Sequence, residues 1–244
     1  MFSYIYHTFV FNPLYNGLVY LMDVFPWMDA GIAVIVFTII VRLILFPLSK
    51  KAIVTQVRMK EVEPELNRIK EATKDDRQAQ ALKIMALYRE KKISPFSSFF
   101  VLLIQLPIIF ALYSIFINSG LPTVNSSLLY SFVGVPLVDM NFLGLIDIGP
   151  ASTLLAFIAA IAQYLQLHFS LASMKLDSDS ISKNPQLDMA HNMTKSMKYI
   201  FPIIVFFISY KISAVVALYW TVSSLFTLGQ ELVVRSHLKK HLPL

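Results

Sequence analysis

The 244-residue chain contains no cysteine, few glycines and little charge. The lack of cysteine excludes a disulfide framework, thiolate metal sites and a cysteine nucleophile. Only 15% of the residues are charged and 56% are hydrophobic, whereas soluble domains average roughly 25% and 45–50%. The seven glycines form no phosphate-binding loop, and the five histidines lack the spacing of a metal site. These absences exclude an ordinary soluble enzyme and indicate a membrane protein that acts by binding.

Basic residues are absent from two long stretches, residues 1–41 and residues 96–174. The interval Arg42–Pro95 holds 13 of the 21 basic residues. Because basic residues in short loops stay on the cytoplasmic side of a membrane, the basic segments are predicted to face the cytosol. Combined with apolar runs long enough to cross a bilayer, this pattern predicts five spans, an outer N-terminus and a cytoplasmic C-terminus. The predicted spans are Asp29–Ser49, Phe96–Asn118, Pro150–Ala172, Met197–Tyr210 and Ser213–Val234.

The N-terminal segment, residues 1–28, is predicted to lie on the outer side. Asn12 and Pro13 indicate the cap and the first residue of a helix. Apolar residues then recur at helical spacing, with Asn16 and Asp23 interspersed. This pattern favours an interfacial amphipathic helix over the alternative, a sixth span.

Residues 50–95 are predicted to form a cytoplasmic hairpin of two amphipathic helices, the second of which is capped by Asp75 or Asp76. The predicted fold is therefore an all-α membrane protein: a five-span helical core with an outer interfacial amphipathic helix and a cytoplasmic helical hairpin. Its parts are the outer segment 1–28, the core 29–234, which includes the hairpin 50–95, and a short basic tail 235–244.

Arg42 is the most costly residue of the first predicted span, whose other side chains are mainly apolar. An arginine at the centre of a spanning helix costs about 2.5–3.5 kcal/mol on insertion scales. One explanation is that its side chain extends toward the cytoplasmic interface, near Lys50, which follows about 12 Å further along a helix. The second, third and fourth predicted spans contain no Asp or Glu. We therefore favour a water-filled polar cavity around Arg42.

Other polar residues of the predicted spans are candidates for lining the same cavity. Thr38 lies four residues before Arg42 and so on the same helix face. Each residue alone has a simpler explanation, because glutamines often join neighbouring helices and tryptophan anchors at membrane interfaces. The remaining candidates are Gln105 in the second span, Gln163 and Gln166 in the third, and Trp220 in the fifth.

The run from Gly31 to Leu48, which contains Arg42 and Pro47, resembles the first core span of the YidC-type membrane protein insertases. The resemblance covers roughly Asn12 to Val234, and its motifs are specific in combination and weak singly. The family's five-span core, amphipathic outer helix and cytoplasmic hairpin match the layout predicted above. Further matching segments are Met85–Tyr88, Leu103–Tyr113, Met197–Pro202 and Leu218–Phe226.

The resemblance implies a membrane protein insertase, which is not an enzyme and uses no cofactor or metal. In such a protein the spans enclose a hydrophilic groove that is open to the cytosol and to lipid. The arginine that matches Arg42 attracts acidic residues in the polar tail of a nascent membrane protein. The client's apolar segment then enters lipid along the third and fifth spans. The implied groove residues are Arg42, Thr38, Gln105, Gln163 and Trp220.

The resemblance also implies partners and a location. The clients are nascent membrane proteins, and the hairpin 50–95 is the implied contact for the Sec translocon, the ribosome and targeting factors. Membrane lipids surround the core, and nothing indicates direct nucleic-acid readout. The absence of an Arg- and Ser-rich transit peptide favours a bacterial plasma membrane over an organelle.

Two other classes of function stay open on the sequence alone. A small transporter or channel for an anionic solute would use Arg42 as its binding cation, although no inverted repeat is visible. A purely structural scaffold would bind partners through its hairpin and would leave the intramembrane arginine and glutamines unexplained.

Overall fold

The computed structural model describes residues 2–74, 76–93, 106–118, 121–172 and 185–241. Within these ranges the chain is mostly helical, as predicted, with one short β-hairpin in which β1 (Asn141–Phe142) pairs antiparallel with β2 (Ile146–Asp147). The helices are α1 (Phe2–Tyr6), α2 (Asn12–Val24), α3 (Ala30–Ile44), α4 (Phe46–Glu61), α5 (Glu63–Ala72), α6 (Arg77–Glu90), α7 (Leu106–Phe116), α8 (Thr153–Ala172), α9 (Pro185–Lys211) and α10 (Ala214–His241). The end of α7 passes into a π-helical turn, Ser114–Asn118.

Helix α2 continues an N-terminal helix and does not begin at a capping residue. A π-helical turn, His7–Phe11, joins α1 to α2, and Phe11 already has helical dihedral angles. The prediction that Asn12 caps this helix is therefore wrong. In the π turn the N–H of Asn12 donates to the carbonyl of His7, five residues back, so the chain stays helical up to Pro13 in the first turn of α2.

The first predicted span, Asp29–Ser49, is not one straight helix. The side chain of Asp29 accepts a hydrogen bond from the N–H of Ile32 and caps α3, which ends at Ile44. Helix α4 then leaves at an angle of 63° to α3. Pro47 lies in the first turn of α4, where the missing N–H of proline is tolerated, whereas inside a continuous helix it would break a backbone hydrogen bond.

Among the described residues, α8 is the one helix that is both long and apolar enough to cross a bilayer, over Thr153–Ser170. The bent pair α3–α4 is a second candidate if it counts as one span, and α7 is apolar but shorter. Helices α9 and α10 contain the fourth and fifth predicted spans and extend well beyond them toward the polar segments. The five-span arrangement therefore stays a prediction.

Helix α8 packs against both α9 and α10, and α10 also packs against α3 and α4. The largest buried cluster lies toward the end of the bundle where α3, α8 and α10 begin, and α2 and α7 contribute to it. Its most deeply buried large side chains include Tyr15, Leu18 and Ile115. The core thus forms mainly at that end.

The first of the two helices predicted for residues 50–95 is divided at Val62 into α4 and α5, because Pro64 lies in the first turn of α5 and could not continue α4. Helix α6 forms the second predicted helix and packs against α5. Asp76 caps α6 by accepting hydrogen bonds from the N–H groups of Gln78 and Ala79, as predicted. A small apolar cluster of Val62, Leu87 and Ile93 holds the pair together.

An exposed ion pair joins the two arms of this hairpin, with 3.0 Å between Lys91 Nζ and Glu65 Oε1. The hydrogen bond to Glu65 and its negative charge raise the pKa of Lys91. We expect Glu65→Gln to lower the pKa of Lys91 toward its ordinary value, which a ¹⁵N NMR titration of labelled lysine side chains would measure. Because the pKa is raised on folding, the pair supports the hairpin below the ordinary lysine range and is lost as the pH rises through the raised value. An unchanged Lys91 titration in the variant would contradict this assignment.

Candidate functional site

The segment 121–150 closes one end of the helical bundle, and we call it the cap segment. It is anchored first to α2. The side-chain amide of Asn16 donates to the carbonyl of Leu128 at 2.9 Å and accepts from the N–H of Tyr130 at 2.6 Å. Asn16 is buried, and its two backbone partners in the cap segment are partly exposed. Two further α2 side chains accept backbone N–H groups of the cap segment, Tyr15 from Asn125 and Asp23 from Gly134.

The cap segment also holds the first residues of α3 and α10 at the same end of the bundle. Asp29, which caps α3, accepts a second hydrogen bond from the N–H of Leu143 at 2.9 Å. At the start of α10, the hydroxyl of Ser213 donates to the carbonyl of Ile148 at 2.9 Å. This end of the bundle is therefore closed by a continuous set of backbone and side-chain hydrogen bonds.

Arg42 is half-buried in the last turn of α3 and faces α10, where its guanidinium donates a hydrogen bond to the hydroxyl of Ser223. The neighbouring residues Leu43 and Ile44 are largely exposed and apolar. The arginine therefore points into the bundle, and the adjacent positions of the same turn point out of it.

A second set of polar side chains joins α8 to α10. Gln163 Oε1 accepts hydrogen bonds from Trp220 Nε1 at 2.7 Å and from the hydroxyl of Ser224 at 3.1 Å. Its Nε2 donates to Gln166 Oε1 at 2.7 Å. Gln163, Trp220 and Ser224 are all buried, so the network lies between the two helices. The glutamine satisfies two donors on α10 with one oxygen.

These two sets form one band of polar side chains at a common depth, which we call the polar belt. The adjacent residues Ser223 and Ser224 connect them on α10, since one binds Arg42 and the other Gln163. At 1.5 Å per residue, Arg42, Gln163 and Ser223 lie about 14–18 Å from the first residues of α3, α8 and α10. That is close to half of the roughly 30 Å hydrocarbon core of a bilayer. The members of the polar belt are Arg42, Gln163, Gln166, Trp220, Ser223 and Ser224.

Two of the predicted groove residues are not placed in the polar belt. The hydroxyl of Thr38 donates to the carbonyl of Val34 in its own helix at 2.6 Å and is buried. The hydroxyl of Thr38 is therefore satisfied within its own helix. Gln105 lies outside the described residues.

Ser223 and Ser224 are functional-site residues that the sequence did not predict, although both lie within the family-like segment Leu218–Phe226. The available signal was their spacing, three and four residues after Trp220, which places both within one turn of the same helix. Serine is common in helices for unrelated reasons, so this spacing does not reveal which neighbour each hydroxyl binds.

The hydrogen bond between Gln163 and Ser224 is expected to contribute modestly to stability. Side-chain hydrogen bonds between membrane helices average about 0.6 kcal/mol and reach about 1.7 kcal/mol in double-mutant cycles. A cycle of Gln163→Leu and Ser224→Ala, measured by reversible unfolding in detergent or bicelles, should give a coupling energy in this range. A parallel cycle of Gln163→Leu and Ser223→Ala is the control, because Ser223 binds Arg42. Equal coupling in both cycles would show that the pairing is not specific.

Comparisons with known proteins agree on one family. The sequence model of a family described as 60Kd inner membrane protein matches residues 21–241. The chain is 31% identical over 240 residues to the membrane protein insertase YidC of Clostridium tetani, covering 98% of this chain and 93% of that protein. It is also 31% identical over 226 residues to the membrane protein insertase YidC of Fusobacterium nucleatum subsp. nucleatum, covering 92% and 96%. The chain belongs to the YidC-type insertase family.

A third relative shows how the family varies in length. The chain is 25% identical over 233 residues to the membrane protein insertase YidC of Treponema denticola, and this match covers 93% of the chain but 38% of that protein. The family consists of membrane protein insertases without enzymatic activity, which confirms the family predicted from sequence and the expectation of a non-enzymatic protein.

Proposed function

We propose that this protein inserts nascent membrane proteins into a bacterial plasma membrane, using the polar belt as the floor of a groove open to the cytosol and to lipid. The guanidinium of Arg42 attracts acidic groups in the client's polar tail. The client's apolar segment then leaves into lipid along α8 and α10, which contain the third and fifth predicted spans. Thr38 and Gln105 belong to this proposal as further groove residues.

The main support for this proposal is the position of Arg42. It lies about half a bilayer thickness from the capped end and turns toward a serine hydroxyl on α10. A charged side chain at such a depth is costly and is retained where it faces a polar interior or a pathway. Gln163, which is bonded to Trp220 of α10, extends the polar belt onto α8.

The outer surface of the helices supports a membrane location for the bundle. Large apolar side chains are exposed along one side of both α8 and α9, where a soluble protein would carry polar groups. A bilayer would cover this surface and make its exposure favourable. The residues concerned are Leu154, Phe157, Ile161, Leu165 and Phe169 on α8, and Ile200, Ile203, Ile204 and Phe207 on α9.

The proposal includes the arrangement around the groove. The core 29–234 carries five spans, with the outer segment 1–28 and the cap segment outside and the hairpin 50–95 and the tail 235–244 in the cytosol. The hydrogen-bonded cap segment supports an outer side that is closed to polar groups. The hairpin is the contact proposed for the Sec translocon, the ribosome and targeting factors.

The sidedness can be tested directly because the chain has no cysteine. Two single variants suffice: Leu137→Cys in the cap segment, where the side chain is fully exposed, and Gln78→Cys on α6, also exposed. In intact cells a membrane-impermeant maleimide should label the first and label the second only after permeabilisation. The reverse pattern, or equal labelling, would contradict the proposed topology.

Insertion itself can be tested with purified protein in liposomes. A short client with an acidic tail, which does not need the Sec translocon, is added, and protease protection of its tail is measured. Liposomes with the protein should protect the tail, and empty liposomes of the same lipid composition should not. Equal protection in both would contradict the proposed function.

A further inference from the structure

A cleft lies between α4 and the last turns of α10, at the end of the bundle opposite the cap segment. Its volume is about 180 Å³, more than ten times the roughly 10–15 Å³ that one water molecule needs. Both a polar group and an attached hydrocarbon fit into such a space. The lining residues are Lys50, Val233, Val234, Ser236, His237 and Leu238.

The lining is divided between apolar and basic groups. Val233, Val234 and Leu238 form an apolar wall, and Val234 is buried. Lys50 supplies an ammonium group on the polar side. A ligand with an anionic group joined to an apolar chain matches both halves of the lining.

The charges near the cleft favour an anion. No carboxylate among the described residues forms an ion pair with Lys50. Glu231, the acidic residue of α10 nearest to the cleft in sequence, is buried and paired with Arg235, which also donates to the carbonyl of Ser170. The local negative charge is thus already neutralised, and the ammonium group of Lys50 is left to attract an external anion.

The depth of the cleft places it at a membrane boundary. Val234 follows Ser223 of the polar belt by about 16 Å along α10, at 1.5 Å per residue. Added to the depth of the polar belt, this gives about 30 Å from the start of α10, which equals the thickness of the hydrocarbon core. Lipid phosphate groups lie at this level. The site rests on the proposed topology, in which this boundary is the cytoplasmic one.

Gln230 adds an independent observation on the same face of α10. It lies four residues before Val234 and seven before His237, is about nine-tenths buried, and neither its amide nitrogen nor its amide oxygen has a hydrogen-bond partner among the described residues. A buried amide without a partner is unfavourable, and an ester carbonyl entering from the cleft would accept a hydrogen bond from its Nε2.

We propose that this cleft binds an anionic phospholipid of the cytoplasmic leaflet. The phosphate group binds the ammonium group of Lys50, a glycerol ester extends toward Gln230, and an acyl chain follows Val233 toward the bilayer. The bound lipid fixes the start of α4 against the end of α10, and so the base of the hairpin relative to the groove.

The test compares lipid binding by three forms of the protein in detergent, using native mass spectrometry with phosphatidylglycerol as the probe. The forms are the wild type, Lys50→Gln and Lys51→Gln. Lys51 is the matched control because it is adjacent and exposed but does not line the cleft. We expect Lys50→Gln to weaken binding about fivefold, the effect of one basic residue at an anionic membrane surface, and Lys51→Gln to weaken it by much less. Equal losses in both variants would overturn the proposal in favour of unspecific attraction.

Two further probes identify the ligand. Diacylglycerol, which lacks the phosphate, should bind weakly to all forms, and inorganic phosphate should not compete with phosphatidylglycerol at equal concentration. Effective competition by inorganic phosphate would overturn the lipid assignment and indicate a site for the free anion. The variant Gln230→Leu, which keeps the side-chain volume roughly constant, should also weaken phosphatidylglycerol binding, and an unchanged affinity would remove Gln230 from the site.

Failure of this proposal can be distinguished from failure of the proposed function. Client insertion is measured on the same three preparations, together with their melting temperatures. Normal insertion without selective loss of lipid binding in Lys50→Gln would overturn the lipid site alone. Selective lipid binding without insertion by the wild type would contradict the insertase function and leave the site standing.

Discussion

Arg42→Ala is expected to reduce insertion of a client with an acidic tail by roughly 10- to 100-fold, the effect of losing a hydrogen bond to a charged group in a poorly solvated site. The lost interaction is the attraction between the guanidinium on α3 and the client's carboxylates. Initial rates of protease protection in liposomes, at equal protein content, measure the loss. Arg42→Lys should retain much of the activity, because it keeps the charge and loses only the planar, multivalent geometry of the guanidinium.

Two controls make this result specific to the site. Arg58→Ala removes an exposed arginine from α4 and should leave insertion nearly unchanged. A client whose acidic tail residues are replaced by their amides should lose its dependence on Arg42. If Arg42→Ala inserts the acidic client as fast as the wild type, Arg42 is not the attracting group, and its side chain serves helix packing or extends to the interface.

Asn16→Leu is expected to destabilise the protein by about 1–3 kcal/mol, because it removes the two partly buried hydrogen bonds that join α2 to the backbone of the cap segment. Leucine has a similar volume, so the effect reports mainly on the hydrogen bonds. The free energy of unfolding, measured by reversible denaturation in detergent, should fall accordingly. The cap segment should also become more accessible to protease.

The exposed residue Asn141 provides the control for this experiment. Its side chain donates to Asp139, two residues away, so Asn141→Leu should change stability little. If Asn16→Leu is as stable as Asn141→Leu, the link between α2 and the cap segment does not stabilise the fold. If stability falls but insertion by the remaining folded protein is normal, closure of the capped end is not needed for insertion.

The polar residues of the site were predictable, but their pairing was not. Arg42, Gln163 and Trp220 could be identified because polar groups are rare and costly in apolar helices. Their contacts depend on the rotation of α3, α8 and α10 about their axes, which is set by packing across the bundle. The two serines of α10 therefore became significant only when the structure placed one against α3 and the other against α8.

The parts of the fold that the sequence did not predict share one property. Their polar side chains form hydrogen bonds with backbone groups that are distant in the sequence. Asn16 looked like one polar interruption of an amphipathic helix, yet it is buried and bound to residues more than one hundred positions away. Likewise, charge patterning indicates which side of a membrane a segment occupies but cannot predict that residues 121–150 fold into a cap. By contrast, the cap of α6 is local, and the sequence restricted it to Asp75 or Asp76, of which Asp76 forms the cap.

The break between α3 and α4 changes the electrostatic surroundings of Arg42. Because α3 ends at Ile44, the arginine lies in the last turn of a helix and beside its C-terminal carbonyl groups. The backbone dipoles of a helix sum to a partial negative charge there, which favours a nearby cation by about 0.3–1 kcal/mol. In a straight helix through residue 49 those carbonyls would be occupied by backbone hydrogen bonds. The bend near Pro47 therefore leaves carbonyl groups beside the arginine that a continuous span would have used in its own backbone hydrogen bonds.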